Sequence, residues 1–399
     1  MCKKDGKFKA TALSAEITFG AWLRALAAPV ASDGKDTVTA AGNSWGYGAR
    51  TARLNVNAKS EDGTAGFSMG IYNDVSMKLE AGDEANLWIK PLDIVKVSYG
   101  KYDNNTLRGD LCYGSWNWLR PTSSWLAEDE GLLMSGNGGK GLMAEVTPVE
   151  NLYVQALVPI LAPTQDKNDV WHSGQVKADA TYKQIRGGLA YTVPGTAKVK
   201  FQYIGKGEAK VDEVKDAEGN VTTKGKDGNS NCTIEAEVDV LAVENLFLGV
   251  GFQYNNLKDG DDNNAGDQKM KIALGASYQV NEDIKLSASG AFFQFYGKDA
   301  NKYDPRFQAG VGVDYNLGDG LSANADFRYL SAQKKDGTKV DNSDHVAFSA
   351  GIQKGFSNGY IGVAFQGQTN GGAFANNVIE AAEKDKMIWA IPVALSVWF

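Results

Sequence analysis

The densest chemistry in this chain lies between Arg108 and Glu130. The run "GSWNWLRPTSSWLAEDEG" sets Trp116 and Trp118 before Arg120, Trp125 after it, and then Glu128, Asp129 and Glu130. Flat rings, guanidinium groups and a carboxylate run can stack on a passing solute and steer it. They do not make a bond-breaking set. The chain has two histidines, His172 and His345, and His172 stands beside Ser173 only in sequence, which is not a hydrogen-bonded dyad. No catalytic residue and no cofactor is expected. A second acidic run, "KDGDDNNAGD", opens like a calcium loop with Asp259, Asp261, Asp262 and Asp267. Its sixth position is Asn264 and its twelfth is Met270, where Gly and Glu are needed, so no metal site is expected.

The chain that must position these groups has 399 residues, with 41 basic and 48 acidic side chains and a net charge of −7. That balance argues against nucleic acid as a partner. Mean hydropathy is −0.32. "WLRALAAPVA" and "VQALVPILAP" are the most apolar runs, and neither reaches the ~20 residues of a spanning helix. The 46 glycines, with abundant Tyr, Phe, Val and Thr, disfavour helix and favour strand. The opening "MCKKDGKFKA" is polar. It reads as a cytosolic start or a mature form, with a lipidated Cys2 as a third idea. The three cysteines, Cys2, Cys112 and Cys232, match no zinc spacing.

The elements are strands. "WAIPVALSVWF" places Trp389, Ile391, Val393, Leu395, Val397 and Phe399 on one face. "KMKIALGASYQV", "LSANADFRY" and "AKVKFQY" repeat the alternation, with Lys, Ser, Asn, Asp and Gln on the opposite face. "IKLSASGAFFQF" keeps it until Phe293 and Phe295 fall on the polar row, which predicts a bulge or a rim. Short turns such as "SEDG" (60–63), "KPLD" (90–93), "VPGT" (193–196) and "FSNG" (356–359) alternate with longer polar connections, among them 25–46, 73–83, 102–137 and 206–230. The pattern predicts an all-β chain, a closed antiparallel transmembrane β-barrel of about 18 strands, with 16 as the alternative count. The whole of 1–399 forms one barrel domain. A soluble β-sandwich also alternates. Two rings of outward aromatics favour the barrel: Tyr191, Tyr278, Tyr315 and Phe399 toward the short turns, and Tyr99, Tyr203, Tyr254, Tyr296, Tyr329, Phe365 and Trp389 toward the long ones.

Here the chain resembles bacterial outer-membrane porins. "LWIKPLDIVKVSYGKYDNNTLRG" and "LAYTVPGTAKVKFQYIG" are similar to porin strand pairs: a strand, a Pro-containing turn and a returning strand. The last strand, ending in Phe399, is similar to the signal read by the barrel-assembly machinery. A spirochaete-type porin is the narrower likeness. The resemblance covers essentially the whole chain. It implies the bacterial outer membrane, periplasmic short turns, the lipid bilayer as partner and a homotrimer. It also implies a third extracellular loop that narrows the channel, and 102–137 is the third long connection.

Parity turns Arg53, Lys96, Lys198, Lys200, Glu235, Glu237, Asp326 and Arg328 toward the lumen, where charge biases passage. Lys198 and Lys200 lie on the strand next to Glu235, Glu237 and Asp239, so cross-strand pairing is expected too. Arg108, Trp116, Trp118, Arg120, Trp125, Glu128, Asp129 and Glu130 make up the narrowing loop, or a surface lid. Cys112 and Cys232 both fall toward the long connections, where an oxidising compartment would let them pair. The expected function is passive diffusion of small hydrophilic solutes and ions. A carbohydrate-type selective channel and a surface adhesin or sheath protein are the alternatives.

Overall fold

A computed structural model describes residues 2–4, 7–12, 15–42, 50–74, 79–102, 106–109, 119–120, 133–136, 138–160, 164–165, 171–172, 178–257, 264–297, 302–370, 383 and 385–399. Alternation of greasy and polar residues produces long antiparallel strands that close into one ring. In chain order the staves are β1 (Ala15–Ser32), β2 (Arg50–Ser60), β3 (Ala65–Asp74), β4 (Leu79–Leu92), β5 (Val95–Tyr102), β6 (Gly139–Val149), β7 (Leu152–Pro159), β8 (Arg186–Val193) and β9 (Ala197–Gly205). They continue as β10 (Cys232–Val240), β11 (Leu246–Asn256), β12 (Gln268–Gln279), β13 (Ile284–Phe295), β14 (Arg306–Gly318), β15 (Leu321–Leu330), β16 (His345–Phe356), β17 (Gly359–Gln368) and β18 (Ile388–Trp398). Each pairs with the next, and β18 pairs back onto β1 through rungs such as Leu395 with Ala25. The sheet has 21 hydrogen-bonded strands. Three lie outside the ring count: the hairpin Cys2–Lys4 and Lys7–Ala12, and the segment Thr37–Gly42, leaving an 18-strand closed barrel. A ring has no open edge, so every stave finds backbone partners on both sides.

The outer wall is apolar across neighbouring staves. Val199, Val238, Val250 and Leu274 stand rung by rung on β9 to β12, and all four are exposed. Tyr191, Tyr278, Tyr315 and Phe399 are exposed toward the short turns, and Tyr99, Tyr203 and Phe365 toward the long connections. Tyr296 departs from the expected ring. It is buried, and its hydroxyl donates to the Asn255 carbonyl at 2.6 Å. It lies one residue past the end of β13, where strand parity no longer sets direction.

Two connections are shorter than the sequence suggests. The expected connection 25–46 is largely strand: β1 runs on through Ser32, and Thr37–Gly42 returns along its upper half. Pro29 sits where that ladder shifts register, between Ala28 and Ala31, and Pro392 lies at the shift between Ile391 and Val393 on β18. Proline cannot donate to a ladder, and a bulge is a place in a wall that tolerates it. The expected connection 73–83 is likewise mostly strand, since β3 ends at Asp74 and β4 begins at Leu79. Turn chemistry follows the sequence at the other end. Asn151, Asn245 and Asp319 take positive φ in the turns after β6, β10 and β14. A short helix, Ala178–Tyr182, and small hairpins decorate the long connections. Among the described residues no helix is long and apolar enough to cross a membrane, which says nothing of crossing by strands.

Candidate functional site: a charged lumen with a loop docked in it

The polar face of each stave points into the ring. On β10, Glu235, Glu237 and Asp239 recur every second residue, so all three carboxylates share the inner face about 7 Å apart. The β9–β10 register sets Lys200 across from Glu237, Lys198 across from Asp239 and Gln202 across from Glu235. The Lys200 ammonium lies 3.0 Å from Glu237 and 3.8 Å from Asp239. All of Lys200, Glu235, Glu237 and Asp239 are buried. Charges withdrawn from water in this way persist only where ion pairs and hydrogen bonds compensate them.

The described parts of the connection after β5 supply much of that compensation. The Arg108 carbonyl accepts from Lys200 at 3.2 Å. Gly109 donates to the Met134 carbonyl at 2.9 Å, so the two ends of the connection run side by side. The Ser135 amide donates to Glu235 at 3.1 Å, its hydroxyl donates to the same carboxylate, and Gln202 donates to the Ser135 carbonyl at 2.8 Å. Gln202 and Gln253 both donate to Glu235 as well. Across the ring, Arg120 is buried. Its guanidinium pairs with Asp314 on β14 and with Asp326 on β15, the latter at 3.3 Å. Gln366 on β17 donates to the Arg120 carbonyl at 3.3 Å.

Apolar anchors flank these polar contacts. Leu119 packs with Leu26, Ala364 and Ala394. Leu133 packs with Ala273, Ala291, Phe293 and Leu330. The aromatic residue that breaks the alternation of β13, Phe293, is thus part of Leu133's seat, beside a register shift between β12 and β13. Glycines make the seats possible. A Cβ at Gly251 would overlap the Leu133 backbone, and one at Gly362 would overlap the Leu119 side chain. The chain therefore touches β9 to β13 and β15 at one place, and β14, β15, β17, β18 and β1 at another, both from inside the ring.

Arg53 and Lys96 form local pairs on other staves. Arg53 lies 3.6 Å from Glu84 and donates to the Tyr72 hydroxyl at 3.3 Å. Lys96 pairs with Glu145 at 2.7 Å, and Glu145 also accepts from Tyr153 at 2.7 Å. Arg328 is buried one inward step from Asp326 on β15. Trp116, Trp118, Trp125, Glu128, Asp129 and Glu130 lie outside the described residues, as do Cys112, Asp259, Asp261 and Asp262. Cys232 carries a free, buried thiol. Among the described residues no group of His, Cys, Asp or Glu could hold a metal ion. Sequence reasoning passed over Ser135, Gln202, Gln253 and Gln366. The only available signal was inward parity, because neutral amides and hydroxyls carry no charge pattern to single them out.

No family model matches the sequence, and no curated protein matches it. Solved structures do match in shape. The anion-selective porin from Comamonas acidovorans superposes with a TM-score of 0.52 at 12% identity, covering 96% of this chain and 100% of its own. OccD3 (OpdP) of Pseudomonas aeruginosa gives 0.51 at 10% identity, over 96% of this chain and 91% of its own. OccK11 (OpdR) of Pseudomonas aeruginosa gives 0.50 at 10% identity, over 96% of both chains.

Proposed function

We propose, from the premise that this chain has the fold of bacterial outer-membrane porins, that it lets small hydrophilic solutes and ions diffuse across the outer membrane through its lumen. The observation that carries this is the pairing of two opposite surfaces on one wall. Val199, Val238, Val250 and Leu274 face out, while Lys198, Lys200, Glu235, Glu237 and Asp239 face in. An apolar exterior suits lipid, and a charged interior suits water and ions. The chain 1–399 acts as one barrel domain, with the connection 102–137 as its constriction and the inward charges setting the potential along the path. Transit breaks no bond and uses no cofactor. The barrel-assembly machinery is the partner during biogenesis, and a homotrimer is the assembled form.

The test is reconstitution. Purified barrels in liposomes should let small sugars enter and swell the vesicles, and single barrels in planar bilayers should give ohmic current. Vesicles that stay impermeable would discard the channel and favour the adhesin or sheath reading. Saturable block by neutral sugars would move the assignment to a carbohydrate-selective channel. Analytical ultracentrifugation in detergent tests the trimer.

A further inference from the structure

We infer that the short-turn mouth of the lumen carries a binding subsite for ring-bearing phosphate esters, with sugar monophosphates as its ligands. This rests on the diffusion reading for how the ligand arrives. The platform is Trp88 on β4. Its neighbours Leu87 and Ile89 are exposed on the outer wall, so Trp88 points inward, four residues from the end of its stave. Directly across the β3–β4 rung stands Gly66. A Cβ there would come within 2.5 and 2.7 Å of two indole carbons. The missing side chain thus seats the indole on the neighbouring stave, and the ring is only half-buried, leaving a surface to the lumen.

Two ammonium groups lie over that ring in cation–π contact. Lys90 and Lys96 each place Nζ 5.9 Å from the Trp88 ring centroid. Lys96 is held by Glu145 at 2.7 Å, which neutralises that pair. Lys90 is exposed, and among the described residues its ammonium makes no ion pair, so it is the net charge of the cluster. On the far side of Gly66, Lys59 lies 3.8 Å from Glu16, a second closed pair.

Each part selects a chemical feature. A flat indole stacks on the C–H face of a pyranose once the exposed Lys90 side chain swings off the ring, and its ammonium then meets an anion carried by that pyranose. A planar carboxylate is best gripped by an arginine fork, whereas lysines act as point charges suited to the three-fold symmetry of phosphate. The cluster is built from lysines. The ligand it fits therefore joins a flat apolar face to a phosphate.

Titration calorimetry of glucose 6-phosphate into the folded wild-type barrel in detergent reads the site without any current. Glucose and inorganic phosphate are the two half-ligand controls. Saturable heat is expected with glucose 6-phosphate and at least tenfold weaker binding with either control. Trp88→Ala should weaken glucose 6-phosphate about tenfold, as loss of a stacking platform does. Lys90→Gln, a change at an exposed side chain, should weaken it about fivefold. Equal binding of glucose, equal binding of phosphate, or an unchanged affinity in Lys90→Gln would each overturn the subsite. A barrel that conducts but does not bind sinks this inference and leaves the channel standing. A barrel that binds but never conducts keeps the subsite and sinks the channel.

Discussion

Arg120 is the residue on which the inner arrangement turns. Its side chain is 4% exposed, its guanidinium bridges Asp314 and Asp326, and the Asp326 side chain is fully buried. Removing one partner of a buried ion pair strands the other charge at a cost of about 3–5 kcal/mol. Asp326 is the stranded partner and Asp314, 42% exposed, adds little, so Arg120→Ala should cost about 3 kcal/mol. We expect a lower thermal midpoint and a larger single-channel conductance, because Leu119 and Arg120 leave their seats together. Lower stability with unchanged conductance would restrict Arg120 to bracing the wall. The long-loop rim carries an ion pair of its own. Lys339 and Asp344 are 2.9 Å apart. The hydrogen bond from Lys339 holds the Asp344 carboxyl below its usual range, and the same bond raises Lys339. A lowered carboxylate stabilises at pH above its ordinary value, and the gain fades as pH falls through the lowered one. A raised ammonium stabilises below its ordinary value, and that gain fades as pH climbs through the raised one. Amide exchange in the turn 335–343 should therefore be slowest, relative to intrinsic rates, between the two ordinary ranges. Lys339→Met should abolish the rise in relative exchange at both ends of that window.

At the scale of elements, a stave and the chain docked on it are matched by missing side chains. Gly251 on β11 lets the Leu133 backbone approach closer than any Cβ allows. Gly251→Val forces overpacking worth about 1–3 kcal/mol, relieved by lifting Leu133 and Ser135 off the wall. The variant should still fold, since β11 keeps both neighbours, and its conductance should rise. A variant that unfolds instead would show that the docked chain supports the wall. The staves themselves were readable because their side chains repeat every two residues, as on β12 and β15. The pairing of Lys200 with the β10 carboxylates, and the place of Lys198 across from Asp239, are readable for the same reason. The upper half of β1 was not. "LAAPVAS" offers small residues on both faces, and Pro29 looks like a turn although it sits at a bulge. Tyr296 leaves the outer ring because it stands one residue beyond the stave, where parity no longer holds. The seats of Leu119 and Leu133 were invisible to a one-dimensional pattern, since Gly251 and Gly362 gain meaning only when a distant segment arrives.

Over the whole molecule, closure is what gives the wall its two faces. The β18–β1 rungs make the ring continuous, so a greasy belt on one side and a charged bore on the other follow from one alternating sequence. That closure has a practical corollary at Cys232. Its thiol is buried on the first rung of β10, between Gly205 on β9 and Asn256 on β11. After Cys2→Ser and Cys112→Ser, it is a native clock for breathing of the cylinder. A maleimide should tag it slowly in buffer and at the free-thiol rate once denaturant parts the strands. Prompt tagging in buffer would reveal that the upper lip of this sector frays while the rest stays zipped.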